Sequence, residues 1–523
     1  MAYKEKRGLY SVISFFSPLI KLFLRLLLLP RELFFNKALK APREAQEKVF
    51  KRLVDTFNSS SYGKEIGHIN SIKEFQEKVP LVGFDDISHH IDKMREKMSN
   101  HFSPSPVLFY EPTSGSSGAK KYIPYTLELK SAFSQMFSLW VIDLIKNGPS
   151  FETGKFYFSV SPQFKDTEDV LQDDSDYIDG FFSWFLRPFF VTPKKIKLIK
   201  DPILFKKALA LHLLAEKDLE IISIWNPSTF TILLDYIEDN REELIIDLKK
   251  GTSVIEGHSF KFKAIASERI ETIRKSSLLE IWPRLKLISS WGDLEAKPGF
   301  KKLKKIFPSV FIQAKGLLAT EAPITIPIIA SNSFVPLLES IFFEFISEDG
   351  KLHLLHELKG GELYQLVITT PSGLYRYLLG DRIKVPHFYK ETPCLEFMGR
   401  GDETSDLFGE KLHRSFLTSI LQELKTENYY LFFPTRINED HGYYTLLTDN
   451  QDENLEKLIE GSLMKAYHYK VARKLGTLGP LKTIYKKDMN ERVLSYMQEK
   501  KGMKLGDIKP SVLLDSFDDK FLT

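Results

Sequence analysis

The sequence predicts an α/β protein of two domains. From Gly154 to about residue 290, short β-branched and aromatic runs alternate with helical patterns, as in layered α/β folds. Beyond residue 341, glycine-containing turns separate short runs, which is typical of an antiparallel, barrel-like section. A chain of 523 residues is also too long for one simple core. We therefore expect a large N-terminal domain of mixed sheets over residues 1–400 and a smaller, mobile α+β domain over residues 401–523.

Residues 12–29 raise the question of a membrane segment. The run is strongly apolar, but Lys21 and Arg25 interrupt it before it reaches the roughly 20 residues that a spanning helix needs. With Ser14 and Ser17, these charges form one narrow polar stripe on an otherwise apolar helix. The pattern favours a helix packed on the main domain with its basic stripe in water. Peripheral contact with a membrane interface is the open alternative.

Capping signals and periodicity place the next helices. Pro42 opens a second helix, so two N-terminal helices span residues 10–57. The segment Ser71–Glu74 is a capping box before a short helix. Residues 126–148 have the pattern of a long helix, and Pro227–Tyr236 that of another.

Runs rich in β-branched and aromatic residues mark the strands. Before residue 341 they are Gly154–Val160, Ile221–Trp225, Leu285–Ser290 and Val310–Gln313. Beyond it they are Ile341–Ile346, Leu363–Thr369, Leu374–Tyr377, Tyr429–Phe433 and Tyr443–Leu447. The segment Gly399–Asp402 interrupts this pattern, which is why we set the domain boundary at residue 400.

Composition and charge exclude several classes of protein. The 73 basic residues nearly balance the 69 acidic ones, so the chain lacks the basic excess that is typical of nucleic-acid binding. Cys394 is the one cysteine, which excludes an intramolecular disulfide and fits a reducing compartment. We expect a cytoplasmic protein, and a monomeric one. With 41 Phe and 21 Tyr, the chain can line an apolar pocket, which we expect residues 130–260 to do.

The loop from Thr113 to Lys121 is the first candidate for chemistry. Its glycines let the backbone turn tightly, successive N–H groups in such a turn form an anion-binding nest, and four hydroxyls and a lysine add donors. It lacks the lysine spacing of a Walker P-loop. On its own it is equally well explained as a solvated surface loop. As a phosphate cradle it would use Thr113, Ser114, Gly115, Ser116, Ser117, Gly118 and Lys121.

Three further motifs follow this loop in order, and together the four resemble the adenylate-forming superfamily. The loop resembles the family's T-S-G-[ST]-[ST]-G-x-x-K motif. Ala319–Glu321 resembles a segment that ends in T-E, Tyr375–Asp381 resembles Y-R-x-G-D, and Gly399–Asp402 resembles G-R-x-D. The resemblance implies an enzyme that joins a carboxylic acid to AMP with ATP and Mg²⁺ as cofactors.

The resemblance also implies roles for single residues. Glu321, beside the nucleotide-contacting Thr320, would help hold the magnesium ion. Asp381 and Arg400 would bind the ribose. Lys121 would be the catalytic lysine of the phosphate loop, and Lys509 a C-terminal lysine that enters the site for adenylation. Asp402 would be an interdomain hinge. Leu317 would be an aliphatic adenine contact at a position where relatives carry tyrosine.

The turn Trp291-Gly292-Asp293 follows a predicted strand and would border the acyl substrate, although a plain tight turn explains it equally well. Taken alone, Glu321 would be an exposed loop carboxylate, and the pair Asp381 and Arg400 a structural ion pair. The order of the motifs is what favours their functional roles.

A narrower resemblance covers residues 60–510. The segments that carry it are Tyr62-Gly63, Val79–Leu81, Glu344-Phe345, Glu362–Tyr364, Gly373–Tyr377, Gly380-Asp381, Lys384-Val385, Phe388 and Gly506–Pro510. They are similar to the auxin-responsive promoter family of plant acyl acid–amido synthetases and its bacterial relatives. The resemblance implies transfer of the activated acyl group to an amine, often that of an amino acid. Transfer to a thiol such as coenzyme A or to an alcohol stays open, as does a catalytically degenerate ligand-binding or membrane-associated homologue.

Overall fold

A computed structural model describes most of the chain. The described residues are 22–97, 100–114, 120–159, 189–225, 227–262, 265–292, 296–400, 404–405, 407–408, 410, 412–424, 428–438, 441–499, 511–514 and 516–518. The chain folds into two compact units, which we describe separately.

The described helices are numbered α1 to α16. They are residues 22–40, Pro42–Ser59, Ser61–Ile66, Ile72–Lys78, Phe84–Lys97, Leu127–Asn147, Pro202–Ala215, Pro227–Asp239, Arg241–Lys250, Ser267–Lys275, Leu278–Ile281, Lys297–Ile306, Arg414–Glu423, Leu455–Leu463, Tyr467–Leu475 and Met489–Glu499. Short 3₁₀ turns occur at Lys194–Leu198, Ile329–Ser331 and Leu355–Glu357.

The described strands are numbered β1 to β22. They are Phe109–Ser114, Lys120–Tyr125, Lys155–Phe158, Leu219–Ser223, Thr252–Ile255, His258–Lys261, Leu287–Ser290, Phe311–Ala314, Thr325–Ile328, Ser333–Pro336, Phe342–Ser347, Leu352–Leu354, Leu363–Thr369, Tyr377–Lys384, Phe388–Tyr389, Thr392–Pro393, Glu396–Arg400, Thr404–Ser405, Leu412–His413, Tyr430–Arg436, Gly442–Thr448 and Lys482–Tyr485.

A parallel sheet forms one layer of the first unit. Its strand order is β3-β4-β7-β8, and neighbouring strands run parallel throughout. All four residues of Leu287–Ser290 are buried, as expected of a strand inside a parallel sheet that helices cover. The α/β class and the strands predicted from Gly154 to Gln313 are confirmed, with ends shifted by one or two residues.

A second sheet confirms the antiparallel section predicted beyond residue 341. Its strand order is β12-β11-β13-β14-β17, and β11 pairs antiparallel with both neighbours. The strand predicted at Leu374–Tyr377 is wrong, because β14 begins only at Tyr377. Gly373 and Arg376 both have positive φ, 99° and 48°, so the backbone turns there.

The N-terminal helices pack on this unit. Pro42 starts α2 as predicted, and Ser71 caps α4 by accepting a hydrogen bond from the Glu74 N–H. Helix α1 buries Leu24, Leu28 and Phe35, while Arg25 is exposed. The other residues of the predicted polar stripe, Ser14, Ser17 and Lys21, lie outside the described residues. None of the described helices combines the length and apolar character needed to cross a bilayer.

The second unit comprises residues 293–298, 380–382 and 398–523. Its main sheet, β20-β21-β22, has helices on both faces. Alternate residues of β20 face different clusters: Tyr430 and Phe432 pack with α14 and α15, and Leu431 and Phe433 pack with α16. The strands predicted at Tyr429–Phe433 and Tyr443–Leu447 are thus confirmed, and we keep the domain boundary near residue 400 as a proposal.

A buried ion pair holds the turn before β14. Arg376 Nε lies 3.1 Å from Glu344 Oε2 on β11, with the two side chains 5% and 1% exposed. Arg376 Nη1 also donates to the carbonyls of Gln76 and Val79 at the end of α4, and Gln76 Nε2 donates to Glu344 Oε1. The arginine of the Tyr375–Asp381 motif therefore joins α4, β11 and β14, which is a structural role.

We predict that Arg376→Met lowers the free energy of unfolding of the first unit by about 3–5 kcal/mol, because it leaves the Glu344 carboxylate buried without its cation. The double change Arg376→Met with Glu344→Leu should recover much of this loss. Urea unfolding followed by tryptophan fluorescence measures it, since all five tryptophans precede residue 292. As a control, Arg43→Met removes an exposed pair with Glu47 and should change stability by less than about 1 kcal/mol. Equal effects of Arg376→Met and Arg43→Met would contradict the prediction.

Candidate functional site

The predicted phosphate loop lies at the end of a β-hairpin. Strands β1 and β2 pair antiparallel, with Thr113 opposite Lys121 and Ser114 opposite Lys120. The tip, Gly115–Ala119, lies outside the described residues, as do the side chains of Thr113 and Ser114. The hairpin therefore brings both ends of the loop together and fixes the position of Lys121.

Helix α5 packs against this hairpin and brings a second cation to it. The Lys121 Nζ lies 5.6 Å from the centre of the Phe84 ring, and the Arg95 guanidinium stacks 3.7 Å from the centre of the Tyr122 ring. Burial raises the pKa of the Tyr110 hydroxyl, and the nearby Arg95 opposes that rise. Two positive side chains thus flank β2, an arrangement that favours an anion.

The segment Ala319–Glu321 lies in a tight turn after β8. The Ala319 N–H donates to the Ala322 carbonyl at 3.1 Å, and Leu317 accepts from the N–H groups of both Ile324 and Thr325. A Cβ at Gly316 would lie 2.5 Å from the Thr325 carbonyl oxygen, so the turn requires glycine there. Leu317 is only 7% exposed and belongs to the core cluster, and its predicted adenine contact stays a prediction.

Two tyrosines link this turn to the rest of the unit. The Tyr125 hydroxyl, at the end of β2, donates to the Thr320 carbonyl at 2.7 Å. The Tyr377 hydroxyl, at the start of β14, donates to Glu321 Oε1 at 3.4 Å. Glu321 itself is 6% exposed. One turn, residues 319–321, therefore joins two parts of the predicted site. These are the hairpin with the predicted phosphate loop and the carboxylate of Glu321.

The donor set at Glu321 fits a magnesium ion that is shared with phosphates. Magnesium is usually held by one or two carboxylates, several waters and the substrate's phosphate oxygens. Among the described residues, no group of three or more His, Cys, Asp or Glu side chains could form a metal cage. The single carboxylate of Glu321, in the turn that Tyr125 joins to the β1–β2 hairpin, is compatible with a magnesium ion whose other ligands are waters and phosphate oxygens.

The other predicted site residues are placed only in part. Asp381 is 3% exposed and occupies a buried position of β14, and Arg400 is the last residue of β17. Trp291 follows β7 and packs on Phe397, with ring centres 5.5 Å apart. At Gly292 an added Cβ would lie 2.9 Å from the Ala314 Cβ, so close packing explains this glycine. Asp293, Asp402 and Lys509 lie outside the described residues.

An apolar pocket lies at the carboxyl edge of the parallel sheet, where ligands bind in open α/β sheets. Met136, Phe137 and Trp140 on α6 form one wall, and they are the lining residues that fall within the stretch 130–260, whose role in an acyl pocket stays a prediction. The pocket is lined by Met136, Phe137, Trp140, Ser289, Lys315, Gly316, Leu318, Thr325, Ile326 and Pro327. Among these lining residues, Lys315 is the charged one. Its Nζ donates to Ser223 Oγ at 2.8 Å and lies 5.1 Å from the centre of the Trp225 ring.

Sequence reasoning missed three residues of this region: Tyr125, Tyr377 and Lys315. Lys315 directly follows the parallel strand β8, so the rule that ligands bind beyond the carboxyl ends of parallel strands could have found it. Tyr377 lies within the Tyr375–Asp381 motif, but the motif assigns it no role, and Tyr125 has no sequence signal at all. Their partners are 56 and 195 residues away along the chain.

Two family models match the chain. The GH3 family N-terminal domain matches residues 31–312, and the GH3 family central domain matches residues 334–400. Indole-3-acetic acid-amido synthetase GH3.17 of Arabidopsis thaliana is 23% identical over 68% of this chain and 67% of its own length. Jasmonoyl-L-amino acid synthetase JAR4 of Nicotiana attenuata is 21% identical over 88% of this chain and 89% of its own.

Solved structures share the fold. The GH3.15 acyl acid amido synthetase superposes with a TM-score of 0.80 at 19% identity, covering 94% of each chain. A 2-hydroxyisobutyryl-CoA ligase, solved with its acyl-AMP, superposes with a TM-score of 0.52 at 12% identity, covering 91% of this chain and 89% of its own. The chain therefore shares its α/β fold with both of these enzymes.

We predict that Tyr125→Phe loosens the turn at Thr320. The ring of Tyr125 is buried and stacks on Phe109, so phenylalanine keeps the packing and removes only the hydroxyl. The free energy of unfolding should fall by about 1 kcal/mol. Amide hydrogen exchange over residues 317–325 should become faster, as mass spectrometry can measure. Tyr122→Phe on the same strand is the control, and unchanged exchange in Tyr125→Phe would refute the proposed link.

Proposed function

The chain belongs to the GH3 family, and from that premise we propose that it is an acyl acid–amido synthetase. It would activate a carboxylic acid with ATP as an acyl-adenylate and transfer the acyl group to an amine, with amino acids as the expected class. One observation carries the proposal for this chain: the 2.7 Å hydrogen bond from Tyr125 to Thr320, which joins the glycine- and hydroxyl-rich hairpin to the turn that bears Glu321.

The hairpin supplies the groups that would bind the phosphates. Backbone N–H groups of Gly115–Gly118 and the hydroxyls of Thr113 and Ser114 are donors for phosphate oxygens. Lys121 adds a positive charge from β2, with its Nζ 5.6 Å from the centre of the Phe84 ring. Donors that are already in place stabilise the charge of the transition state without further rearrangement.

Glu321 would hold a Mg²⁺ ion together with phosphate oxygens of ATP. The ion, when bound, would neutralise phosphate charge. The Tyr377 hydroxyl donates to Glu321 Oε1 and would help orient the carboxylate toward the ion.

The reaction needs little chemistry from protein side chains. A carboxylate oxygen of the acid attacks the α-phosphorus, and the bond to the β-phosphate oxygen breaks, so pyrophosphate leaves. An amine then attacks the acyl carbon, AMP leaves with the former carboxylate oxygen, and the amine loses a proton. Positioning and electrostatic stabilisation account for most of the rate in such transfers.

The apolar pocket is our candidate for the acyl chain. Aromatic and aliphatic side chains from α6 and β9 line it, so an aromatic or aliphatic acid fits better than a highly charged one. Lys315, held by Ser223, offers a cation to an oxygen of the acid. Four further roles rest on the family resemblance and stay predictions. They are the ribose contacts of Asp381 and Arg400, the hinge at Asp402, the entry of Lys509 into the site, and the acyl contact at Trp291, Gly292 and Asp293.

We predict that the purified chain releases pyrophosphate from Mg-ATP when given aromatic and aliphatic monocarboxylic acids. Glu321→Gln should lower kcat/KM by about 10²–10³-fold, and Lys121→Met by at least about tenfold, because each removes charge stabilisation of the transition state. The controls make the same substitutions at exposed residues, Glu96→Gln on α5 and Lys73→Met on α4. They should leave kcat/KM unchanged. Coupled pyrophosphate detection gives the rates, and mass spectrometry with amino acids or coenzyme A identifies the acceptor.

A folded protein that binds no ATP by calorimetry, and releases no pyrophosphate with any acid, would contradict the proposal and favour a degenerate homologue. Thioester formation with coenzyme A, without amide formation from any amino acid, would leave adenylation standing and overturn the amine acceptor.

A further inference from the structure

Helix α1 is apolar on the side that faces water. Seven of the nineteen exposed large hydrophobic side chains in the described part of the chain lie on this one helix, and Leu26, Leu33 and Phe34 are 60–66% exposed. The seven are Leu22, Phe23, Leu26, Leu27, Leu29, Leu33 and Phe34. Surface helices normally turn polar residues to water, so this concentration of exposed apolar surface requires an explanation.

These side chains form one continuous face. Leu22, Leu26, Leu29 and Leu33 recur at steps of three and four residues, so they lie above one another along the helix. Phe23, Leu27 and Phe34 follow a neighbouring line on the same side. The buried residues, Leu24, Leu28, Phe35 and Leu39, occupy the opposite side and pack into the core of the first unit. Helix α1 is thus held on the first unit by one apolar side, and its other apolar side is exposed to water.

The charges around this face are positive. Arg25, Lys37 and Lys40 are exposed on α1. Its one acidic residue, Glu32, is half-buried and pairs with Lys146 Nζ at 2.5 Å. The first 31 residues of the chain contain six basic residues and a single acidic one, Glu5. An apolar face with basic residues at its edge and at its C-terminal end complements an anionic membrane interface, which attracts both the apolar surface and the positive charges.

A second copy of the chain is a poorer match for this face. A twofold pair would place the same patch against itself, and with it the same basic residues. Like charges across an interface oppose association. From the apolar face and its basic border, we infer that α1 docks the protein onto an anionic lipid surface. The helix lies in the plane of the interface, with its leucines and phenylalanines at the acyl boundary. Arg25 lies at the edge of this face, and Lys37 and Lys40 follow it at the C-terminal end of α1, where their long side chains can extend to the head groups. This inference is independent of the proposed enzymatic function.

Flotation of the full-length protein with vesicles tests the inference. Vesicles of phosphatidylcholine with about one third phosphatidylglycerol should carry the protein to the top of a density gradient, and pure phosphatidylcholine vesicles should carry less. The triple change Leu26→Ser, Leu33→Ser and Phe34→Ser should weaken binding at least about tenfold. The matched control, Val254→Ser, Ile437→Ser and Leu458→Ser, removes equally exposed apolar side chains elsewhere and should bind as the unaltered chain does.

The charged border is tested by Arg25→Gln, Lys37→Gln and Lys40→Gln, which should weaken binding to the anionic vesicles and leave binding to neutral ones unchanged. Equal flotation of the unaltered chain and the Leu26, Leu33 and Phe34 variant would overturn the inference. The inference would also be overturned if the unaltered chain bound no vesicles and instead formed a concentration-dependent dimer, seen by light scattering, that the Leu26, Leu33 and Phe34 variant does not form. That result would assign the face to a second copy.

Discussion

The buried ion pair between Arg376 and Glu344 is the constraint on which the proposed site depends. A buried pair adds little net stability, because removing two charges from water offsets most of their attraction, but it specifies one arrangement strongly. Here the guanidinium also binds two carbonyls at the end of α4, so three elements meet at one side chain. The positive φ of Arg376 is held by these bonds, and β14 starts immediately afterwards with Tyr377 directed at Glu321.

The described part of the proposed site is therefore built on strands, helices and one tight turn. The hairpin of β1 and β2 fixes both ends of the phosphate loop, and Tyr125 joins it to the turn at Thr320. Gly316 allows that turn to approach Thr325, and the carboxyl edge of the parallel sheet supplies the pocket beside it. Groups held this firmly can stabilise a transition state without first reorganising, which is what transfer between a carboxylate and a phosphate demands.

The sequence predicts features that arise from local periodicity and ordered motifs. The long helix at residues 126–148, the strands between residues 154 and 313 and the family follow from such patterns, and all three are confirmed. The strand expected at Leu374–Tyr377 is absent because Arg376 forms an ion pair with Glu344, 32 residues away along the chain. This tertiary contact outweighs the local β-propensity of the segment. Likewise the exposed apolar face of α1 could not be predicted from periodicity, since a narrow polar stripe does not reveal how much of the remaining apolar surface the core covers.

The central claim is that the chain activates a carboxylic acid as its adenylate, and isotope transfer tests it most directly. A substrate acid labelled with ¹⁸O in both carboxylate oxygens is incubated with Mg-ATP and an amine acceptor, and the nucleotide product is analysed by mass spectrometry. Attack of the carboxylate on the α-phosphorus predicts that the released AMP contains one ¹⁸O atom. Turnover that leaves AMP unlabelled, or that puts the label into inorganic phosphate, would contradict adenylation and indicate a different activated intermediate.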